Sequence, residues 1–281
     1  MQNFKSVLEV LPTEYRAALD TEKLEQADEL RLRQGFAPTL LIGGREEPLG
    51  GCVVRSRELE LILSAASGFS TYAVQESLRE GYLTLPGGHR IGVCGTKVCR
   101  QGESVSIREI SSLCIRLARD VEFEHLPEIS ESSLILGPPG SGKTTLLRGY
   151  VRVLSDGGAR VAAADVRGEL SGTVHGAPQF RLGSHTDVLC GGEKAEAVMQ
   201  LLRTMSPQWI AVDEITAEAD VRAMEQAGYC GVKLLATAHG ESREDLSGRP
   251  LYRRLMKTGI FRTLIVLKPD RSFTEERMED G

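Results

Sequence analysis

The sequence has little of what a secreted, membrane-spanning or zinc-binding protein needs. Its six cysteines include no Cys-x-x-Cys pair, and a chain of 281 residues does not need disulfides to fold, so reduced thiols are expected. The longest apolar runs, such as 264–267, are far too short to cross a bilayer. Residues 1–20 carry charges every few positions and lack the apolar core of a signal peptide. We therefore expect a cytoplasmic protein without membrane insertion of its own, which reaches a membrane only through a partner.

The sequence also lacks an excess of positive charge. There are 34 Lys and Arg residues against 39 Asp and Glu, a net charge of −5, and only 5% of the residues are aromatic. Domains that bind nucleic acid usually have a basic footprint that neutralises phosphates. Direct nucleic-acid binding is therefore not expected, although a local basic groove is compatible with an acidic average. The 41% of hydrophobic residues is typical of a globular chain with one large or two ordinary domains.

Hydrophobic periodicity divides the chain into two parts. In the first part, helices are predicted for 1–20, from there to about Leu30, 56–66 and 75–79, and strands for 29–33, 38–42, 81–85, 89–94 and 112–117. A polar, acidic stretch follows at 122–133 and is the expected domain boundary. In the second part, strands at 134–136, 159–164, 209–212, 232–237 and 263–267 alternate with helices at 143–154, 193–205 and 219–229. Such alternation predicts an α/β domain with a mostly parallel sheet over 126–281, after a smaller α+β domain over 1–125.

A phosphate loop of the form Gly-x-x-x-x-Gly-Lys-[Ser/Thr] lies between the first of these strands and its helix. The binding positions are Gly137, Pro138, Pro139, Gly140, Ser141, Gly142, Lys143, Thr144 and Thr145. The glycines let successive backbone N–H groups turn toward a phosphate, and the helix N-terminus adds its dipole. Lys143 is expected to reach the β- and γ-phosphates, and Thr144 to bind Mg²⁺. The sequence therefore predicts a site for ATP with magnesium.

Acidic residues end two other strands of the predicted sheet. Asp213 and Glu214 follow the strand 209–212, and in phosphate-loop proteins such an Asp holds Mg²⁺ while an adjacent Glu acts as general base on the attacking water. Asp165, which follows the strand 159–164, is a second candidate metal ligand; a plain surface turn explains it equally well. Glu214 is the residue that turns nucleotide binding into hydrolysis.

Thr237 and His239 end a further strand. Neighbouring parallel strands release their last residues on the same edge of the sheet, so both are expected to face the nucleotide. We interpret His239 as a γ-phosphate sensor that couples hydrolysis to movement, against the alternative of an imidazole that only packs at the strand end.

With these motifs in place, the chain resembles the stage III sporulation AA family, relatives of the ATPases of type II and type IV secretion systems. Beside the phosphate loop, the stretches that carry the resemblance are 81–92, 110–119, 186–189, 205–207, 212–215 and 236–240. The resemblance implies a RecA-like, AAA-type core and a hexameric motor in the mother cell of a spore-forming bacterium, at a membrane-embedded channel complex that joins it to the forespore.

The resemblance also implies that arginines outside the phosphate loop reach the triphosphate across a ring interface. The matching candidates are Arg108, Arg116 and Arg119, with ordinary surface ion pairs as the alternative for each. Two departures from the family pattern are visible: Val166 stands where a second acid is usual, and His185 where an arginine is usual. Either would slow turnover, which keeps a nucleotide-dependent scaffold with little turnover open as an alternative. A nucleic-acid translocase, which shares the phosphate loop and the terminal sensor, is the other alternative.

Overall fold

The computed structural model describes residues 4–70, 75, 78–79, 81–100, 103–121, 123, 126–268, 270 and 272–278. The chain forms two compact units. The first comprises Met1–Arg119 with Val174–Gln179, and the second Asp120–Thr173 with Phe180–Gly281. The domain boundary expected after residue 125 lies six residues beyond this division, and residue 125 itself is outside the described residues.

The first unit is built on a six-stranded antiparallel sheet with the order β3-β2-β1-β6-β5-β4. Its strands are β1 (Glu29–Arg33), β2 (Thr39–Ile42), β3 (Arg45–Pro48), β4 (Tyr82–Leu85), β5 (His89–Arg100) and β6 (Glu103–Arg116). The helices are α1 (Lys5–Val10), α2 (Thr13–Ala18), α3 (Thr21–Gln26) and α4 (Ser56–Ala66). Because side chains alternate along a strand, β1 buries Leu30 and Leu32 in a core that also takes Leu59 and Ile62 of α4.

The second unit contains a seven-stranded sheet with the order β13-β12-β7-β11-β10-β8-β9. The strands are β7 (Ser133–Gly137), β8 (Val161–Ala164), β9 (Thr186–Leu189), β10 (Trp209–Val212), β11 (Lys233–His239), β12 (Thr263–Leu267) and β13 (Phe273–Arg277). Every neighbouring pair is parallel except β12 with β13. The carboxyl ends of β7, β11 and β10 therefore share one edge of the sheet, which is the edge where the predicted motifs lie.

Helices cover both faces of this sheet, as a buried parallel sheet requires. The helices are α5 (Lys143–Asp156), α6 (Lys194–Thr204), α7 (Glu218–Tyr229), α8 (Arg243–Gly248) and α9 (Pro250–Lys257). Alternation along β10 shows the two layers: Trp209 and Ala211 pack with α5, whereas Ile210 and Val212 pack with α6 to α9. In the described part of the chain, no helix combines the length and the apolar character needed to cross a membrane.

One predicted element is wrong, and some were missed. The helix expected over 1–20 is two helices, because Leu11 is extended before Pro12, and the residue that precedes a proline disfavours the helical conformation. Strands β3, β9 and β13 and helices α8 and α9 were not predicted. Positions 76 and 77 lie outside the described residues, so the helix expected over 75–79 stays a prediction.

Candidate functional site

The phosphate loop joins the end of β7 to the start of α5. Gly140 and Gly142 have φ of +75° and +99°, in the left-handed region that glycine enters without steric cost. A Cβ on Gly137 would lie 2.6 Å from the Ser141 hydroxyl, which itself donates to the Pro138 carbonyl at 2.9 Å. The loop is thus closed on itself, and the first N–H groups of α5 have no partner within the helix. This is the geometry of an anion cradle.

Lys143 is a buried cation at the centre of the loop. Its Nζ donates to the Pro138 carbonyl at 2.8 Å and lies 3.1 Å from Nδ1 of His239. Burial lowers the pKa of Lys143, and the carboxylates of Asp213 and Glu214 oppose that shift. Because an ammonium can only donate, Nδ1 of His239 accepts, and Nε2 is the nitrogen that carries the proton. Nε2 in turn lies 3.1 Å from Oε1 of Glu214.

Asp213 lies between two hydroxyl groups. Thr144 Oγ1 donates to Oδ2 of Asp213 at 2.9 Å, and Thr237 Oγ1 donates to Oδ1 at 2.7 Å. Burial raises the pKa of Asp213, and these two hydrogen bonds act against the rise. Among the described residues, no three acidic, histidine or cysteine side chains cluster as a self-contained metal site. The Thr144–Asp213 pair fits magnesium, which binds through one or two carboxylates together with phosphate oxygens and water.

Glu214 has an unusual backbone. Its φ is +55°, a left-handed conformation that is uncommon for a residue with a side chain. Its amide N–H donates to Thr237 Oγ1 at 2.7 Å, and its carbonyl accepts a hydrogen bond from Lys194 Nζ. Arg167 places a guanidinium nitrogen 3.9 Å from Oε2 of Glu214. Neither Arg167 nor Lys194 was identified from the sequence, and the only signal for Lys194 is a cation at the start of a helix.

The structure places Asp165 at the same edge but uses its carboxylate within the chain. Oδ1 accepts from the Leu170 amide at 3.0 Å, and Oδ2 accepts from the amide and the hydroxyl of Ser171 at 2.7 and 2.6 Å. The Asp165 side chain is 2% exposed. It holds the loop after β8 in place, so the magnesium site that we propose rests on Thr144 and Asp213.

The candidate arginines belong to the first unit, and their assignment to a triphosphate stays a prediction. Arg119 donates to the carbonyls of Glu25 and Ala27 and pairs with Asp28, at 3.4 Å, which gives it a structural role at the end of α3. Arg116, by contrast, is 68% exposed and has a 3.5 Å ion pair with Glu29.

Arg108 is also exposed, on the outer part of the β5–β6 hairpin. Its assignment to the triphosphate likewise stays a prediction.

The two departures from the family pattern have different settings. Val166 packs against the core of the second unit, and its carbonyl accepts from the Gly191 amide at 3.1 Å. His185 precedes β9 at the amino end of the parallel strands, where its ring lies 3.0 Å from the Ser155 carbonyl. The phosphate loop follows the carboxyl end of β7, so His185 stands at the opposite edge of the sheet.

Comparisons with known proteins show the family and the fold of the chain. Stage III sporulation protein AA of Bacillus subtilis is 36% identical in an alignment of 270 positions that covers 91% of this chain and 88% of that protein. The ATPase DotB of Legionella pneumophila has a similar fold, with a TM-score of 0.60 and 17% identity over 95% of this chain and 80% of its own. The pilus retraction motor PilT, solved with ADP, also has a similar fold. The TM-score is 0.60, the identity is 17%, and the match covers 92% of this chain and 81% of PilT. The expected RecA-like fold is thereby confirmed. Residues 1–276 match the model of one family, and the chain belongs to it: sporulation stage III, protein AA.

Proposed function

We propose that this chain is a magnesium-dependent ATPase that works as a ring-forming motor of a sporulation-specific channel complex between mother cell and forespore. One observation carries the proposal. At a single edge of the sheet, Lys143, His239 and Glu214 are joined by contacts of 3.1 Å, beside the Thr144–Asp213 pair. This edge supplies a phosphate cradle, two side chains that fit a magnesium ion, and a carboxylate that is hydrogen-bonded to an imidazole. These are the groups that hydrolysis of a phosphoanhydride needs.

The residues have distinct roles in the proposed reaction. Lys143 and the N-terminus of α5 hold the β- and γ-phosphates, and Thr144 and Asp213 hold magnesium, which when bound neutralises charge on the phosphate oxygens. Glu214 takes the proton from the attacking water.

His239 links the phosphate end of the site to the base. In the proposed cycle, the γ-phosphate takes the Lys143 hydrogen bond, and His239 loses the donor at Nδ1 while it keeps its contact with Glu214. The imidazole thereby reports on the phosphate, as a sensor must. Movement that depends on the state of the nucleotide is what a motor requires.

The proposed assembly is a homo-hexamer in the mother-cell cytoplasm, docked on membrane-embedded channel proteins. The support is the family of the chain and the type of its structural neighbours, of which one is described as an ATPase and the other as a motor. The net charge of −5 argues against the nucleic-acid translocase that stayed open on sequence grounds.

The test is phosphate release measured against protein concentration, with and without DNA. The motor predicts a specific activity that rises with protein concentration and is unaffected by DNA. Lys143→Ala should abolish nucleotide binding, whereas Glu214→Gln should bind ATP and release no phosphate; Lys257→Ala and Glu276→Gln, at exposed positions, are the matched controls. Undiminished phosphate release by Glu214→Gln would overturn the base assignment. Stimulation of phosphate release by DNA would support the translocase. ATP binding by the wild type without phosphate release would support the scaffold.

A further inference from the structure

Lys194 contacts the backbone of Glu214 and has no part in the reaction described above. Its Nζ donates a hydrogen bond to the Glu214 carbonyl, from the first residue of α6. We propose that Lys194 is a positioning residue, which holds the left-handed turn at Glu214 and thereby aims the base. The inference rests on the proposed hydrolysis only for its kinetic consequence; the contact itself can be tested without turnover.

The turn at Glu214 needs external support. A φ of +55° is sparsely populated for a residue with a Cβ, and such conformations persist only where the surroundings over-determine them. On the amide side, Thr237 Oγ1 accepts from Glu214 N at 2.7 Å, and the Thr237 carbonyl accepts from Ile215 N at 2.9 Å. On the carbonyl side, the donor is Lys194. The Glu214–Ile215 peptide is thus held at its N–H by Thr237 of β11 and at its carbonyl by Lys194 of α6.

Relaxation of this turn would move the base. Glu214 reaches Nε2 of His239 at 3.1 Å from the left-handed conformation. If Glu214 took an ordinary helical or extended conformation, its Cα–Cβ bond would point in a different direction from the one that brings the carboxylate to His239. The Thr237 hydroxyl already donates to Asp213 and accepts from Glu214 N, so its proton is not free to replace the ammonium.

The first position of α6 is an unfavourable place for the Lys194 cation, and a positioning role would explain why a lysine stands there. A cation at the first helical position faces the positive end of the helix dipole and is disfavoured there. The chain reaches this position through Gly191 and Gly192, both left-handed, at φ of +81° and +73°. The Gly191 amide donates to the Val166 carbonyl at 3.1 Å, which fixes the loop across the ends of β8 and β9. The half-buried Lys194 then lies over the carboxyl end of β10.

The experiment compares Lys194→Met with wild type, with Lys257→Met, at an exposed position on α9, as the control. Steady-state kinetics should show kcat reduced by about tenfold to a hundredfold and KM for ATP changed by less than about twofold, because only the aim of the base is lost. Lys194→Arg, which keeps a cationic donor, should recover part of kcat. Hydrogen exchange of a peptide covering 209–217 should show faster exchange of the Glu214 and Ile215 amides in Lys194→Met, and no change in Lys257→Met.

The outcomes separate the inference from the proposed function. If wild type turns over while Lys194→Met matches it in kcat and in exchange, the positioning role is wrong and the ATPase stands. If wild type releases no phosphate, the ATPase fails, and the exchange rates alone decide the role of Lys194. A fall in ATP affinity when Lys194→Met is added to Glu214→Gln would mean that Lys194 touches the nucleotide, which overturns the inference. If Lys194→Met fails to fold, the same kinetic and exchange measurements are made on Lys194→Gln.

Discussion

Nε2 of His239 lies 3.1 Å from Oε1 of Glu214, so the imidazole at the end of β11 and the carboxylate after β10 share a hydrogen bond. The other ring nitrogen accepts from Lys143, and the tautomer of the imidazole is therefore fixed by the phosphate-loop lysine. In the proposed reaction, a change at the phosphates would reach the Glu214 carboxylate through the His239 side chain.

Substitution of His239 should separate binding from turnover. We expect His239→Ala to bind ATP within about threefold of wild type and to lose about a hundredfold in kcat, because base positioning is lost while the cradle stays. His175→Asn is a suitable control, since His175 is exposed and left-handed and asparagine tolerates that conformation. The measurement is equilibrium binding of a fluorescent ATP analogue beside phosphate release. A loss confined to binding would contradict the sensor role.

Thr237 is fully buried, and its hydroxyl donates to Asp213 and accepts from Glu214 N. Thr237→Val keeps the shape but removes both hydrogen bonds, and we expect it to lower the free energy of unfolding by about 1–3 kcal/mol. The pKa of Asp213 should rise further, since one of the hydrogen bonds that lower it is gone. Urea unfolding is the measurement, with Thr263→Val on β12 as the control. Equal stability of the two variants would show that the hydroxyl is not needed.

The sequence predicted the central part of the second unit because strong signals coincide there. The apolar strands that became β7, β10, β11 and β12 are buried on both faces, so their hydrophobic runs are unbroken. The parallel arrangement then required Lys143, Asp213 and His239 to meet at one edge, and the structure brings these three together.

The missed elements have weak patterns for physical reasons. Strands β3 and β13 are edge strands with mostly exposed, charged side chains, and β9 is an edge strand with none fully buried. An edge strand is stabilised by its single neighbour, which no local pattern reveals. The break at Pro12, by contrast, was visible in the sequence.

The finer features of the site could not be predicted from spacing. The left-handed conformation of Glu214 and its contact with Lys194 join segments twenty positions apart. Asp165 is similar, because only the fold shows that its carboxylate holds the Leu170–Ser171 turn.

Cys114 on β6 should react slowly with alkylating reagents at pH 8. Burial, followed by the nearby Glu29 carboxylate, raises the pKa of this thiol to about 11. The folded protein binds the proton more tightly than the unfolded chain, so the stability from this thiol is present at neutral pH and is lost as the pH rises toward 11. Only the thiolate reacts, so alkylation should be about a hundredfold slower than for the unfolded chain at pH 8. Peptide mapping after timed iodoacetamide labelling measures this rate, with exposed Cys230 as the internal reference. Equal rates in the folded and urea-unfolded protein would contradict the partial burial of Cys114.

Arg119 should contribute more to stability than Arg116. Its guanidinium donates to the carbonyls that end α3 and pairs with Asp28. We expect Arg119→Ala to lower the free energy of unfolding by about 1–3 kcal/mol, because it leaves those carbonyls without their charged donor. Arg116→Ala removes the ion pair of an exposed guanidinium and leaves Glu29 paired with Arg31, so it should cost no more than about 1 kcal/mol. Thermal unfolding of the two variants decides the comparison, and a larger loss for Arg116→Ala would reverse the assignment.

Arg116 should instead matter for turnover if it reaches the triphosphate of a neighbouring subunit. Its side chain is 68% exposed, and the 3.5 Å ion pair with Glu29 holds it only weakly. We expect Arg116→Ala to bind ATP normally and to lose about tenfold or more in kcat, as expected when a transition-state charge contact is removed. Glu214→Gln has the opposite defect, so mixing the two variants would build some sites with both groups intact. Phosphate release should then exceed the sum of the two variants measured alone and should peak near equal amounts. Mixtures that never exceed that sum, at any ratio and at concentrations where wild type is fully active, would show that Arg116 does not complete a shared site.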